Sequence, residues 1–392
     1  MPVSKLCSIA SLVCMIFSFA SCRQKPDKEQ DIAEGTTNWP AIAAQIVGRA
    51  QLQKEEKVLL VAEPGRFDPL VPLLKEEVAK AGAIYLGAVS ITEQQPEAWR
   101  TEFTESIAAQ NTAELPFFLS TVDLGIMLPG ATPADKVYGA MQEVLKQGRG
   151  RTIHFHWAGA YGLDGNLLQP NKRVDSLYEY VLLKTDYDQL ANKQKEFEEA
   201  MRGGWIYVST PEGTDIRFQI GTRQVTKQNG NASLAVMEGA QTLIDREVEL
   251  PAGAIRVAPI EGSVTGTVAF PDADWNGQRV AGLQMTFEAG KVVAVKASKN
   301  VEAVQQEMDK AGEAARSFRE FALGFNPLLE IPATDPWIPY YGYGAGVVRL
   351  SLGDNTELGG NVSGGYVRWN FFTNATVKVD DITWVENGRL IR

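Results

Sequence analysis

Few residues have an obvious claim to chemistry. His154 and His156 are the entire imidazole supply of 392 residues. They stand two apart in Thr152-Ile-His-Phe-His-Trp157, a strand-like run. Side chains two apart on a strand share a face, so the pair could offer two ligands to a metal. No Asp or Glu lies in the same segment to complete a set, and partly buried structural histidines are the competing reading. The cysteines, Cys7, Cys14 and Cys22, all fall at the extreme N-terminus. The rest of the chain therefore has no Cys-ligated zinc site, disulfide framework or cysteine nucleophile. No His-Glu-x-x-His, Walker loop, Gly-x-Ser-x-Gly elbow or Cys-x-x-Cys occurs. Gly342-Tyr-Gly-Ala-Gly346 leads into a strand rather than a helix, which suits a bend beside a cleft better than a phosphate cradle. Trp337, Tyr340, Tyr341 and Tyr343 could line that cleft or pack at a subunit contact.

These groups need a scaffold, and the composition supplies one. Apolar residues make up 44% and charged residues 22%, which excludes disorder as the main state. The length fits one large or two medium domains. Asp and Glu (48) outnumber Lys and Arg (38), for a net charge of -10, so nucleic acid is not an expected partner.

Residues 38–200 alternate strand-like and helix-like patterns. Lys57–Ala62 and Ala83–Val89 are short apolar runs flanking a helical stretch over 69–81, the spacing of a βαβ unit. Further strands are predicted at 122–127 and 152–157, with helices over 135–147 and 186–201. The turn after the first strand holds a single glycine, Gly65, and lacks the fingerprint of a dinucleotide site. Near Arg202-Gly203-Gly204 the pattern changes. Strands are predicted at 205–210, 215–220, 254–259, 267–270, 284–288, 291–296, 346–352, 365–372 and 376–379, interrupted by a helix over 301–315. Glu288-Ala-Gly-Lys291 reads as a hairpin turn. The expected fold class is an α/β Rossmann-like parallel-sheet domain over 38–200, followed by a mixed α+β domain over 201–392.

The N-terminus carries Lys5 and then an uncharged run from Leu6 to Ser21, the shape of a signal peptide. Phe19-Ala-Ser-Cys22 resembles a bacterial lipobox, which implies lipidation at Cys22 after removal of residues 1–21. Residues 22–37 then read as a polar tether. The expected location is the bacterial cell envelope, with the membrane contacted only through the lipid. The Asn-x-Ser/Thr triplets at Asn231, Asn361 and Asn374 carry no meaning in that setting.

Five segments stand in order along the second half: Thr210-Pro-Glu-Gly-Thr-Asp-Ile-Arg-Phe218, Leu250-Pro-Ala-Gly-Ala-Ile-Arg-Val-Ala-Pro-Ile-Glu-Gly-Ser263, Arg319-Glu-Phe-Ala-Leu-Gly-Phe-Asn-Pro327, Gly346-Val-Val-Arg-Leu-Ser-Leu-Gly-Asp-Asn355, and Val367-Arg-Trp-Asn370 with Ala375-Thr-Val-Lys-Val-Asp380. Together they resemble the C-terminal domain of the M29 metallo-aminopeptidases, the aminopeptidase T and S group. The resemblance implies a homodimer. It also implies a pair of divalent ions (Zn, Co or Mn) held by two Glu, two His and one Asp, with the second Glu as catalytic base.

Carried over residue by residue, the two Glu positions fall on Glu261 and Glu320. The His positions fall on Arg349 and Arg368, the Asp position on Asn370, and a tyrosine that aids catalysis on Thr356. Arginine stays protonated and offers a cation no lone pair. The expectation is therefore a cleft without resident metal, in which Arg349 and Arg368 pair with Glu261 and Glu320. Glu320 would be a vestigial base. A peptide or small carboxylate is the expected ligand of a catalytically inactive binding or structural module. The competing reading is an active aminopeptidase with a rearranged metal site.

Overall fold

Strand Lys57–Ala62 sits inside a five-stranded sheet in the computed structural model, which describes residues 37–392. Across that sheet the strands run 84–90, 57–62, 124–127, 151–155 and 247–250, every neighbouring pair parallel. A parallel strand covered on both faces reads as an unbroken apolar run, and Val58 to Ala62 are all buried. Alternate residues point to opposite faces. Val58 and Leu60 join a cluster with Ile42, Ile46 and Leu74, while Leu59 and Val61 join Ile107, Leu119 and Met141 on the other side.

The covering helices begin where local chemistry starts them. Thr101 forms a reciprocal capping box with Thr104 ahead of helix Glu102–Ala109. Asn171 accepts bonds from the Arg173 and Val174 amides ahead of Lys172–Lys184. The helices expected over 135–147 and 186–201 occur as Lys136–Lys146 and Tyr187–Met201.

Two extended antiparallel sheets follow, beside two short two-stranded ones. The larger has eight strands, in the order 291–296, 284–288, 265–269, 215–218, 206–209, 376–379, 382–386 and 389–390. Its first hairpin turns on Ala289 and Gly290, both at positive φ (48° and 77°), as a two-residue type I′ turn requires. The smaller sheet runs 367–372, 348–353, 318–324, 254–257 and 226–227. The whole is a mixed α/β fold.

Strand Glu247–Leu250 was not anticipated. It comes from beyond residue 201 yet lies parallel beside Arg151–Phe155, completing the first sheet. Arg151 strengthens that junction: its guanidinium grips Glu56 at 2.7 and 3.0 Å and donates to the Ala232 carbonyl at 2.6 Å. The helix expected over 301–315 ends at Ala311, and a 3-10 turn, Gly312–Arg316, takes over. Residues 1–21, Cys22 and the tether as far as residue 36 lie outside the described residues. Among the described residues no helix is long and apolar enough to cross a membrane.

Candidate functional site

The smaller antiparallel sheet aligns Arg256, Ala322, Arg349 and Phe371 in one cross-strand row, and places Glu320 opposite Ser351. Directly paired residues of antiparallel strands share a face. A register shift between Phe318 and Glu320 interrupts alternation, as a bulge does, and Arg319 reaches the same cluster as Glu320.

Glu320 is fully buried. One of its oxygens accepts Nε and Nη2 of Arg349, at 2.9 and 2.6 Å. The other accepts Nη2 of Arg256 at 2.9 Å and Nη1 of Arg319. The same Arg256 nitrogen donates to Glu357 at 2.9 Å, and Arg319 bonds Glu357 as well. Three guanidiniums thus hold two carboxylates. Burial alone would raise the Glu320 carboxyl. Arg256, Arg349 and Arg319 outweigh that and keep it well below the usual carboxylate range. Arg349 is further fixed by the Tyr341 carbonyl at 3.2 Å and by the Trp369 ring, 5.0 Å from its guanidinium carbon.

This donor set does not fit a pair of divalent ions. Each Glu320 oxygen already accepts two guanidinium N–H groups, and the nearest neighbours repel cations. Among the described residues no three His, Cys, Asp or Glu side chains converge to hold a metal.

The remaining expected residues lie elsewhere. Glu261 accepts from Arg223 at 2.5 Å, from the Asn361 amide at 2.9 Å and from Asn355 at 3.3 Å. Its carboxyl is held low by these contacts, against the upward push of burial. Arg368 was expected to meet Glu261 or Glu320. Instead it pairs with Glu307 of helix Val301–Ala311 at 3.0 Å and donates to the Asp274 carbonyl at 2.8 Å. Its guanidinium carbon lies 3.4 Å from the centre of the Trp275 ring. The reason is strand alternation. Phe371 pairs with Arg349, so Arg368 and Asn370 belong to the opposite face of their strand. Asn370 is buried and donates to the Leu350 carbonyl at 3.2 Å. Thr356 bonds Asp354 at 2.7 Å.

His154 bonds the Tyr138 hydroxyl at 2.6 Å through Nδ1, and its ring lies 3.4 Å from that of His156. Burial lowers both imidazoles; His156 lowers His154 further, while Glu249 partly offsets the effect at His156. They pack as structural residues. Trp337, Tyr340 and Tyr343 are buried. They form interior packing with Tyr178 and His156 rather than a cleft wall or subunit contact. Tyr341 reaches the surface-facing Trp369.

Sequence reasoning missed Arg256, Arg319 and Glu357. A lone arginine inside Ala254-Ile-Arg-Val257 was the available signal, because a fully buried strand does not carry such a charge without a partner.

Residues 190–332 match the Peptidase_M29 family model, thermophilic metalloprotease (M29). The 2,5-dihydroxypyridine dioxygenase of Pseudomonas putida KT2440 is similar in fold, with a TM-score of 0.60 at 15% identity, covering 90% of this chain and 96% of that one. Wild-type AmpT from Thermus thermophilus has a TM-score of 0.57 at 16% identity, covering 90% of this chain and 99% of that one. No curated protein sequence matches the chain.

Proposed function

Taking the M29 relationship of residues 190–332 as its premise, we propose that this protein is an aminopeptidase-like binding or structural module that has lost catalysis. We propose further that it is exported and tethered to the cell envelope through Cys22. The observation that carries the first statement is the occupancy of Glu320. Its four short contacts come from Arg349, Arg256 and Arg319, so a metal-bound water would find neither ligands nor a free base there. The similarity of fold to both a dioxygenase and AmpT supports reading function from the site and not from the architecture. Arg349 is 3% exposed and out of reach of a ligand carboxylate. Arg368 borders a surface cavity, but its charge is already held by Glu307.

The test is metal content after dialysis against zinc, cobalt or manganese, paired with hydrolysis of aminoacyl p-nitroanilides in each ion. Substoichiometric metal and no turnover are expected. Two ions per chain with turnover would overturn the reading.

A further inference from the structure

Strand Val367–Phe372 forms one edge of its sheet, bonded to Val348–Gly353 on one side only. The Asp354 amide donates to the Tyr366 carbonyl at 2.7 Å, which makes that opposed pair a bonded one. Alternation along an antiparallel ladder then assigns the inward bonds to Arg368, Asn370 and Phe372. The N–H and C=O groups of Val367, Trp369 and Phe371 are left facing outward. A cavity of about 290 Å³ lies along this open edge. One wall is residues 161–166 and the other residues 271–274. Arg279 ties the walls together, donating to the Asp164 carbonyl at 3.3 Å and lying 3.9 Å from the Asp274 carboxylate.

Two observations identify an occupant. Val367 and Trp369 are 42% and 37% exposed, unusual for large apolar side chains on an unblocked edge strand, which proteins ordinarily guard with charge, proline or a bulge. The rim is also acidic. Asp164, Asp272 and Asp274 face it, Arg279 offsets one of them, and Arg368 is neutralised by Glu307.

We propose that this edge is a docking site for an extended peptide segment of a partner protein, one bearing lysine or arginine. The segment would add to the sheet as a further strand. Its backbone pairs with the outward groups of Val367 and Trp369. Its apolar side chains meet Trp369, and its cations meet Asp272 and Asp274. The site adjoins the Glu320 cluster through Trp369, whose ring packs on Arg349, but peptide binding is read without any assay of catalysis, so its failure is distinguishable from failure of the functional reading.

The test uses the full chain and three labelled hexapeptides in fluorescence anisotropy. One is acetyl-Lys-Val-Lys-Val-Lys-Val-amide, one is the same sequence with alternate amides N-methylated, and one carries Glu in place of Lys. The lysine peptide is expected to bind saturably and the other two to fail. Val367→Pro removes one outward N–H without touching the inner ladder, and is expected to weaken binding about tenfold at unchanged melting temperature. Asp272→Asn with Asp274→Asn is expected to weaken it and to flatten its salt dependence, and this arm serves should the proline variant fold poorly. Equal binding of the N-methylated peptide, equal binding of the Glu peptide, or no binding by any peptide would each overturn the proposal. So would a dimer, seen by light scattering, that Val367→Pro dissociates while no peptide binds; the occupant would then be a second copy of this chain.

Discussion

Arg349 and Glu320 meet across two neighbouring antiparallel strands, with both Nε and Nη2 of the guanidinium on a single carboxylate oxygen at 2.9 and 2.6 Å. The other oxygen is left to Arg256 and Arg319. That division of labour makes the two partners unequal.

Three guanidiniums face Glu320 and Glu357. Removing the charge of Glu320 leaves three cations against one anion, whereas removing Arg349 leaves two against two. Glu320→Gln is therefore expected to lower stability by about 3–5 kcal/mol, the cost of stranding a buried charge. Arg349→Met should cost about 1–3 kcal/mol, for lost hydrogen bonds to a charged group. Urea unfolding of both variants checks the order; an equal or reversed ranking refutes the charge count.

Restoring the family's ligand types should not restore a metal site. In Arg349→His, Arg368→His, Asn370→Asp, the two new ligands on strand Val367–Phe372 still belong to the face away from position 349, and Arg256 and Arg319 still occupy Glu320. Calorimetric titration with zinc is expected to show no tight binding at two ions per chain.

A buried acid elsewhere sets a pH dependence. Burial, aided by Glu357 and Glu249 and opposed by bonds from Tyr138 and Gln142, pushes Glu247 from 4.5 to about 7. The folded chain holds this proton more tightly than the unfolded one. The resulting stability is complete below about pH 4.5 and is lost as the pH rises through about 7, a total of about 3 kcal/mol. Glu247→Gln stays neutral throughout. Its melting temperature relative to the parent should climb between about pH 5 and about pH 8; a constant difference would show that Glu247 titrates normally.

Arg368 offers a spectroscopic check. Arg368→Ala removes its pair with Glu307 and its stacking on the buried Trp275 ring. A loss of about 1–2 kcal/mol is expected, with a change in tryptophan emission.

The sequence made some of this legible. Lys57–Ala62 and Leu124–Met127 announce themselves because strands buried on both faces are continuously apolar. Glu247-Val-Glu-Leu250 does not, since its two glutamates look like a solvent face while they actually turn toward Tyr138 and Tyr343. The loss of metal-ligand types at 349, 368 and 370 was readable position by position. The separation of Arg368 from Arg349 was not, because the facing of one strand against another depends on the 354–366 connection and on cross-strand register. Arg256 and Arg319 were missed, because only the folded sheet reveals that both converge on one carboxylate.

The strand Glu247–Leu250 bears on how the chain can be made and cut. Until Leu250 has left the ribosome, Arg151–Phe155 has no neighbour on its outer side, and its exposed edge invites association with other nascent copies. A fragment ending near residue 200 should accordingly precipitate, and co-production of the missing piece should rescue it.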